Sequence, residues 1–207
     1  MRKILTNKPP LFDILEKATE RVLINQGGTS SGKTYTILDL LFVIGTDNEN
    51  QVITVVGQDI PNLKKGAYRD AKKIWGDSEI YQQKWSKPNE TERIFTCTNG
   101  SIIEFNSYQD EQDAKSGKRD YLFVNEANGI DYKIYWQLAI RTKKKIFIDY
   151  NPTSRFWAHD LANDKDTRII ISDHRHNIYL TQEQHDRIEG ITDKELRKVY
   201  ARGHTGQ

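Results

Sequence analysis

The sequence predicts an α/β fold of three layers, with helices on both faces of a mainly parallel central sheet. Apolar, β-branched runs at residues 22–24, 52–56 and 121–124 are typical of strands buried on both faces. These runs alternate with segments of helical periodicity, as expected for parallel strands joined by right-handed crossovers. Asn99-Gly100, between two alternating segments, indicates an antiparallel hairpin added to that sheet.

The remaining elements follow in chain order. A short helix containing Leu11 and Leu15 precedes the first strand, and Pro61 marks the start of a helix after the second. Further strands are predicted at residues 93–97, 101–105, 146–148 and 168–171, and helices at residues 61–76, 131–141 and 155–163. The last thirty residues are polar and mostly helical. We therefore expect a core at residues 1–177 and a helical lid or linker at residues 178–207.

The composition is that of a soluble chain of about one domain. Its 207 residues carry a formal net charge of +2, which neither requires nor excludes a nucleic-acid partner. The single cysteine, Cys97, excludes an internal disulfide and a cysteine-cluster zinc site, as suits a reducing cytosol. No run of about 18 apolar residues is present, and no apolar signal core follows Met1-Arg2-Lys3. Neither a membrane span nor an export signal is expected.

An eight-residue segment between the first strand and the next helix, Gly27 to Thr34, fits the phosphate-binding pattern G-x-x-x-x-G-K-[ST]. Its glycines let the backbone approach an anion, and successive N–H groups at a helix N-terminus favour phosphate. Lys33 is predicted to reach the β- and γ-phosphates of ATP, and the Thr34 hydroxyl to bind Mg²⁺. The predicted nucleotide-binding residues of this segment are Gly27, Gly28, Thr29, Ser30, Ser31, Gly32, Lys33 and Thr34. The alternative is a glycine-rich turn that opens an ordinary helix, and the strand–loop–helix context disfavours it.

The strand at residues 121–124 ends at Asn125-Glu126, which has the form of a Walker B segment. Glu126 is predicted to be the general base that activates water. Asn125 is predicted to take part in the metal site, where its amide oxygen supplies no charge in place of the usual aspartate. Either metal affinity is then weaker or another acid assists, and Asp149 at a neighbouring strand end is the candidate. Without the phosphate-binding loop, Asn-Glu would indicate only a cap on the next helix.

Four segments occur in a fixed order: Gly27 to Thr34, residues 121–127, residues 137–142 and Asp149-Tyr150-Asn151-Pro152-Thr153-Ser154. The combination resembles the large terminase subunit of tailed bacteriophages over roughly residues 20–205. This resemblance implies a P-loop NTPase of the ASCE type that uses ATP and Mg²⁺ to drive double-stranded DNA into a procapsid. It implies a homo-oligomeric ring in the host cytoplasm, with portal protein and small terminase subunit as partners, and a monomer when isolated. The family's C-terminal nuclease has no visible counterpart here, so a truncated chain without nuclease activity is expected.

The same resemblance assigns roles to residues outside the phosphate-binding loop. Asn151 to Ser154 matches the coupling motif, with Asn151 sensing the γ-phosphate; the same residues also fit a simple proline turn. The cations Lys115, Lys118 and Arg119 are candidates for a charge donated to a neighbouring subunit's site, or else form a solvated loop. Arg141 could serve within its own subunit, or it is a basic helix end. Thr29 stands where many terminases carry an arginine.

Weaker candidates have mainly structural interpretations. His174 and His176 are two residues apart but lack a third metal ligand, so surface histidines are expected. The run Lys143-Lys144-Lys145 could meet DNA phosphates, although a solvated helix end is the simpler interpretation. The tryptophans are expected in the core or at its edge; they are Trp75, Trp85, Trp136 and Trp157.

The sequence is also compatible with two other functions. Because Asn125 replaces an acid, the chain could be a nucleotide-gated assembly or binding module with weak hydrolysis. A helicase-like ATPase is the other alternative, but such enzymes usually need a second recombinase-like domain. We expect ATPase activity with and without DNA to separate a motor from a binding module.

Overall fold

The computed structural model describes residues 8–206, in which one sheet has the strand order β3-β4-β2-β5-β6-β1-β7. The strands are β1 Val22–Gly27, β2 Val52–Val56, β3 Ile94–Thr96, β4 Ile102–Asn106, β5 Arg119–Val124, β6 Thr142–Tyr150 and β7 Thr167–Ser172. Each neighbouring pair is parallel except β3 and β4, which are antiparallel. The predicted α/β class and the antiparallel hairpin are confirmed.

Helices lie on both faces of the sheet. They are α1 Pro10–Lys17, α2 Lys33–Asp47, α3 Ile60–Lys65, α4 Ala67–Gly76, α5 Glu79–Lys84, α6 Tyr132–Ile140, α7 Trp157–Leu161, α8 Gln182–Glu189 and α9 Lys194–Leu196. On one face a core rich in aromatic rings, including Phe42 and Trp85, joins α1, α2 and α4 to the strands. On the other face α6 and α7 pack around Leu138 and Tyr150. Trp136 was expected in the core or at its edge, but it lies on the outer face of α6 and is 47% exposed.

Two predicted elements differ clearly in extent from those in the structure. The single helix predicted at residues 61–76 is divided into α3 and α4, because Gly66 adopts a non-helical conformation with φ −115° and ψ −106°. Asp59 caps α3 by accepting a hydrogen bond from the Asn62 N–H at 2.7 Å. The strand predicted at residues 146–148 is longer, since β6 begins at Thr142.

The lysine run at residues 143–145 lies in the first part of β6. Because these residues form a strand and not a helix end, the interpretation as a solvated helix end is wrong. Lys144 Nζ donates to Gln51 Oε1 at 2.6 Å, and Lys145 Nζ donates to the Ala18 carbonyl. These contacts anchor two of the three ammonium groups to loops beside the sheet.

The position of β6 brings the predicted site residues together. This strand lies between β1, which leads into the phosphate-binding loop, and β5, which ends at Asn125. Because the three strands are parallel, their carboxyl ends share one edge of the sheet, where ligands of open α/β sheets bind. The division into a core and a lid at residue 177 stays a prediction. Within residues 8–206, no helix is long and apolar enough to cross a membrane.

The hairpin turn supplies a test of the fold. Gly100 has φ +87°, and a Cβ built there would lie 2.2 Å from Asn50 Oδ1. Gly100→Ala should therefore lower the free energy of unfolding by roughly 1–3 kcal/mol, measured by denaturant titration. The matched control is Gly76→Ala in α4, where a Cβ meets no atom within 4 Å; it should be neutral or stabilising. Equal effects of the two substitutions would contradict the turn geometry.

Candidate functional site

The loop between β1 and α2 has the backbone expected for anion binding. Ser30 and Gly32 both have positive φ, 64° and 77°, and α2 begins directly afterwards at Lys33. Gly27 is closely packed, since a Cβ there would lie 2.7 Å from Ser172 Oγ and 2.9 Å from Ser31 Oγ. The Ser31 hydroxyl is buried without a hydrogen-bond partner in the described residues. A concave backbone with an unpaired hydroxyl suits a phosphate group.

The Lys33 side chain lies inside this site rather than in solvent. Its ammonium donates to Asn151 Oδ1 at 2.7 Å and to the Gly28 carbonyl at 3.4 Å. Burial lowers the pKa of Lys33, and the negative charges of Asp149 and Glu126 oppose that shift. The structure thus brings the predicted phosphate-binding lysine into direct contact with the predicted coupling residue.

Asp149, at the carboxyl end of β6, connects the two halves of the site. It is fully buried and accepts a short hydrogen bond from the Thr34 hydroxyl. Its Oδ1 atom also accepts from Asn125 Nδ2 at 3.0 Å and from the Glu126 backbone N–H at 2.8 Å. Burial raises the pKa of the Asp149 carboxyl, and Lys33 is the strongest opposing influence. One carboxylate therefore joins the ends of β5 and β6 to the start of α2.

The backbone N–H of Glu126 is fixed by its hydrogen bond to Asp149, whereas the Glu126 side chain is exposed. Its φ of 50° is in the left-handed region, an unusual conformation for a residue with a Cβ and one found often at functional sites. A short 3₁₀ turn follows at Ala127–Gly129, but the Glu126 carboxylate does not cap it. The alternative of Asn-Glu as a mere helix cap is therefore not supported.

The donor set fits a hard cation such as Mg²⁺. The Thr34 hydroxyl and the Asp149 carboxylate are oxygen ligands in contact with each other, and Asn125 contacts the same carboxylate through its amide nitrogen. Oxygen ligands with at least one carboxylate are what Mg²⁺ prefers beside a nucleotide. The charge missing at Asn125 is present at Asp149, on the neighbouring strand.

The segment after β7 packs against the phosphate-binding loop, a contact that no sequence signal indicated. Asn177 Nδ2 donates to the Ser30 carbonyl at 2.9 Å, and the Gly28 N–H donates to the Ser172 carbonyl at 3.1 Å. The Tyr200 carbonyl would lie 2.1 Å from a Cβ at Gly28. Gly28 is thus required for this docking as well as for the loop itself.

The same segment reaches the coupling motif. The Gly206 N–H donates to the Pro152 carbonyl at 3.0 Å, and Gln26 Nε2 donates to the Gly203 carbonyl at 2.7 Å. A single piece of chain therefore touches β1, which leads into the phosphate-binding loop, and the residues that follow β6.

The predicted trans-acting cations have different environments. Arg119 is 2% exposed and donates to Thr54 Oγ1 at 3.1 Å and to the Leu138 carbonyl at 3.0 Å. Its guanidinium stabilises the fold, so the prediction that it reaches a neighbouring subunit is wrong. Lys115 and Lys118 are exposed. Lys115 ends a short 3₁₀ turn that is anchored by the buried Ala114.

Arg141 lies at the amino end of β6, whereas the site lies at the carboxyl end, so Arg141 is too distant for a role in its own subunit's site. It follows α6 and donates to the Gln137 carbonyl and side chain at 3.0 and 2.6 Å. It directly precedes β6, whose other end carries Asp149, so the two residues are about 25 Å apart at roughly 3.3 Å per residue. The interpretation as a helix end holds.

The histidine prediction is only half correct. His174 is buried, with its Nδ1 atom 2.8 Å from His185 Nδ1 and its Nε2 atom 2.9 Å from Glu189 Oε1. Glu189 also pairs with Arg202 at 2.7 Å, so this group joins α8 to the terminal segment. His176 is partly exposed. Across residues 8–206 no cluster of three or more His, Cys, Asp or Glu side chains forms a metal site.

The sequence matches a family model described as phage terminase large subunit over residues 19–204. The chain belongs to the phage terminase large subunit family. Its expected P-loop and Walker B segments both fall within the matched region. No curated protein matches the terminase chain in sequence.

Solved structures show the same fold. The large terminase of a thermophilic bacteriophage superposes with a TM-score of 0.76 at 17% identity, over 93% of this chain and 51% of that one. The ATPase domain of the Thermus phage P74-26 large terminase gives 0.70 at 12% identity, over 96% and 95% of the two chains. The HK97 bacteriophage large terminase gives 0.61 at 12% identity, over 80% and 39%. This terminase chain thus spans about half the length of the first relative, and its fold is that of a terminase ATPase domain.

The contact between Asn125 and Asp149 supplies a test of the terminase site. Asn125→Asp replaces a donor 3.0 Å from Asp149 Oδ1 by a second carboxylate, so the melting temperature should fall at neutral pH. One carboxyl of such a pair has a raised pKa, so the penalty is present above that pKa and is lost as the pH falls toward about 4. Adding Asp149→Asn restores one acid and one amide, and the double variant should recover most of the loss. Losses that simply add would contradict the contact.

Proposed function

We propose that this terminase chain is an ATP-hydrolysing motor domain that drives double-stranded DNA into a procapsid. The observation that carries the proposal is the joining of Thr34, Asn125 and Glu126 by Asp149, with Lys33 held by Asn151. Membership of the terminase family supports it. So does the large terminase of the thermophilic bacteriophage, which has been solved in complex with ADP and with ATP-γ-S.

Different residues of the chain bind the phosphates, activate the attacking water and bind the metal ion. Backbone N–H groups of the loop from Gly27 to Thr34 bind the phosphates, and Lys33 leaves Asn151 to contact the β- and γ-phosphates. Glu126 orients the attacking water and accepts its proton. Thr34 and Asp149 would hold Mg²⁺, with Asn125 beside them, and the ion would supply positive charge to the transferred phosphoryl group.

A cavity beside the phosphate-binding loop suits the nucleoside. It has a volume of about 410 Å³ and is lined by Pro9, Ser31, Gly32, Tyr35, Thr36, Lys73, Asp77, Asn177 and Tyr179. The rings of Tyr35 and Tyr179 are 5.9 Å apart, which provides an aromatic wall for a base. The cavity adjoins Gly32, so a nucleoside here leaves its phosphates at the start of α2.

The lysine contact also suggests how hydrolysis is coupled to movement. While Lys33 contacts a γ-phosphate, Asn151 loses its partner, and after phosphate release the 2.7 Å contact re-forms. Asn151 belongs to the loop whose Pro152 carbonyl binds the terminal segment. We propose that this exchange moves the DNA-gripping parts of a homo-oligomeric ring in the host cytoplasm. Portal protein and the small terminase subunit are the proposed partners.

A nucleotide-gated assembly module is the second candidate. It rests on the neutral Asn125 at the Walker B position. The presence of Asp149 in contact with both Asn125 and Thr34 weakens this case, because the site does contain a carboxylate for the metal.

Replacement of the proposed base distinguishes hydrolysis from binding. Glu126→Gln preserves the shape of the exposed side chain, so ATP should bind with nearly unchanged affinity. Turnover should fall by about 10²-fold or more, the contribution typical of a general base. Lys33→Ala should instead abolish turnover while leaving the melting curve of the protein normal. Equal loss of affinity and turnover in Glu126→Gln would assign that residue to metal binding or structure.

A mixing experiment tests whether sites are shared between subunits. A cation from a neighbour is commonly worth about 10³-fold or more in phosphoryl transfer, so activity per subunit should rise with protein concentration. Lys115→Ala/Lys118→Ala subunits should be slow alone. Mixed with Glu126→Gln subunits they should regain activity, since each type supplies what the other lacks. Lys165→Ala, at an exposed lysine in the turn before the edge strand β7, is the control. Activity that is flat on dilution, with no gain on mixing, would contradict a shared site.

A further inference from the structure

A second cavity lies directly in front of the phosphate-binding loop. It contains a carboxylate to which the proposed mechanism of hydrolysis assigns no role. It has a volume of about 250 Å³ and is lined by the residues from Ser30 to Tyr35 together with Asp70, Asn177 and Leu180. Asp70, from α4, is the one acidic residue in this lining. Its carboxylate forms no hydrogen bond or ion pair with the residues that the structure describes.

Asp70 is placed there by the packing of α4. The buried face of this helix carries Ala67, Tyr68, Ala71 and Ile74, and Asp70 lies at the border of that face because positions three and four apart are neighbours on a helix. Its side chain is half-buried. A packed helix therefore holds the carboxylate toward the loop, and the break at Gly66 sets where α4 begins.

The electrostatics of this position are unfavourable for a bare triphosphate. Burial raises the pKa of Asp70, and the negative charge of Asp149 adds to that rise while Arg69 and Lys73 oppose it. A carboxylate facing a phosphate site repels the nucleotide unless a cation or a water bound to one lies between them.

We propose that Asp70 is a further positioning residue of the phosphate site, one that accepts hydrogen bonds from water bound to the Mg²⁺ of the nucleotide. Asp149 and Thr34 would hold the ion from one side, and Asp70 would hold its hydration shell from the cavity side. Mg²⁺ usually keeps several waters in nucleotide sites, so acceptors for those waters are needed. The consequence is selectivity: the site favours metal-bound ATP and rejects free ATP. This inference rests on the proposed nucleotide-binding function.

The test compares two ligands on one variant. Calorimetric binding is measured for wild type and Asp70→Asn, once with ATP and excess Mg²⁺ and once with ATP and EDTA. Loss of one charge-assisted hydrogen bond should weaken binding of metal-bound ATP by about tenfold. Removal of the repulsion should tighten binding of free ATP, so the two affinities shift in opposite directions. Asp13→Asn, an exposed carboxylate of α1, is the matched control and should shift neither.

The other outcomes overturn the proposal in distinguishable ways. Tighter binding of both ligands would make Asp70 a purely repulsive charge, and equal weakening of both, with a lowered melting temperature, would make it structural. No change in either affinity would remove Asp70 from the site. If wild type binds neither ligand, the proposed nucleotide-binding function itself fails, whatever the variant does.

Discussion

The arrangement of the site depends on one buried carboxylate. Asp149 has no exposed surface, and an ionised group in such a position is tolerated only when it is paired and hydrogen-bonded. Thr34, Asn125 and the Glu126 N–H supply the hydrogen bonds, while Lys33 supplies the opposing charge. Lys33 and Thr34 begin α2, and Asn125 and Glu126 follow β5, so satisfying one buried charge fixes the relative positions of these two segments.

The features that the sequence predicted are those encoded by short, local spacing. Gly27 to Thr34 carries its own strand–loop–helix context, and Asn99-Gly100 specifies the hairpin without reference to distant residues. The contact between Asn125 and Asp149 joins residues on different strands, and nothing near either residue specifies it. Asp149 could be suspected only from its place at a strand end.

The errors share a physical cause, because charge in a sequence does not reveal burial. Arg119 belongs to a run of basic residues, yet Thr54 and the Leu138 carbonyl bind its guanidinium inside the fold. Lys144 and Lys145 likewise have partners at the start of β6. In each case the cationic side chain donates to carbonyl, amide or hydroxyl oxygens of the fold instead of to solvent. Lys115 and Lys118 remain exposed, and only such cations can reach a neighbouring subunit.

The balance of charge around the phosphate-binding loop connects the site to its ligand. Asp149, Glu126 and Asp70 are carboxylates within electrostatic reach of one another or of Lys33, and the cations that act on them are Lys33, Arg69 and Lys73. Backbone N–H groups contribute only partial charges. On the proposed assignment, a triphosphate entering alone would therefore meet no net positive charge from these six side chains. Entry together with a divalent cation supplies positive charge, because the same carboxylates then become acceptors for the ion and its water. Carboxylates at this edge of the sheet are thus what a site for a metal-bound nucleotide requires.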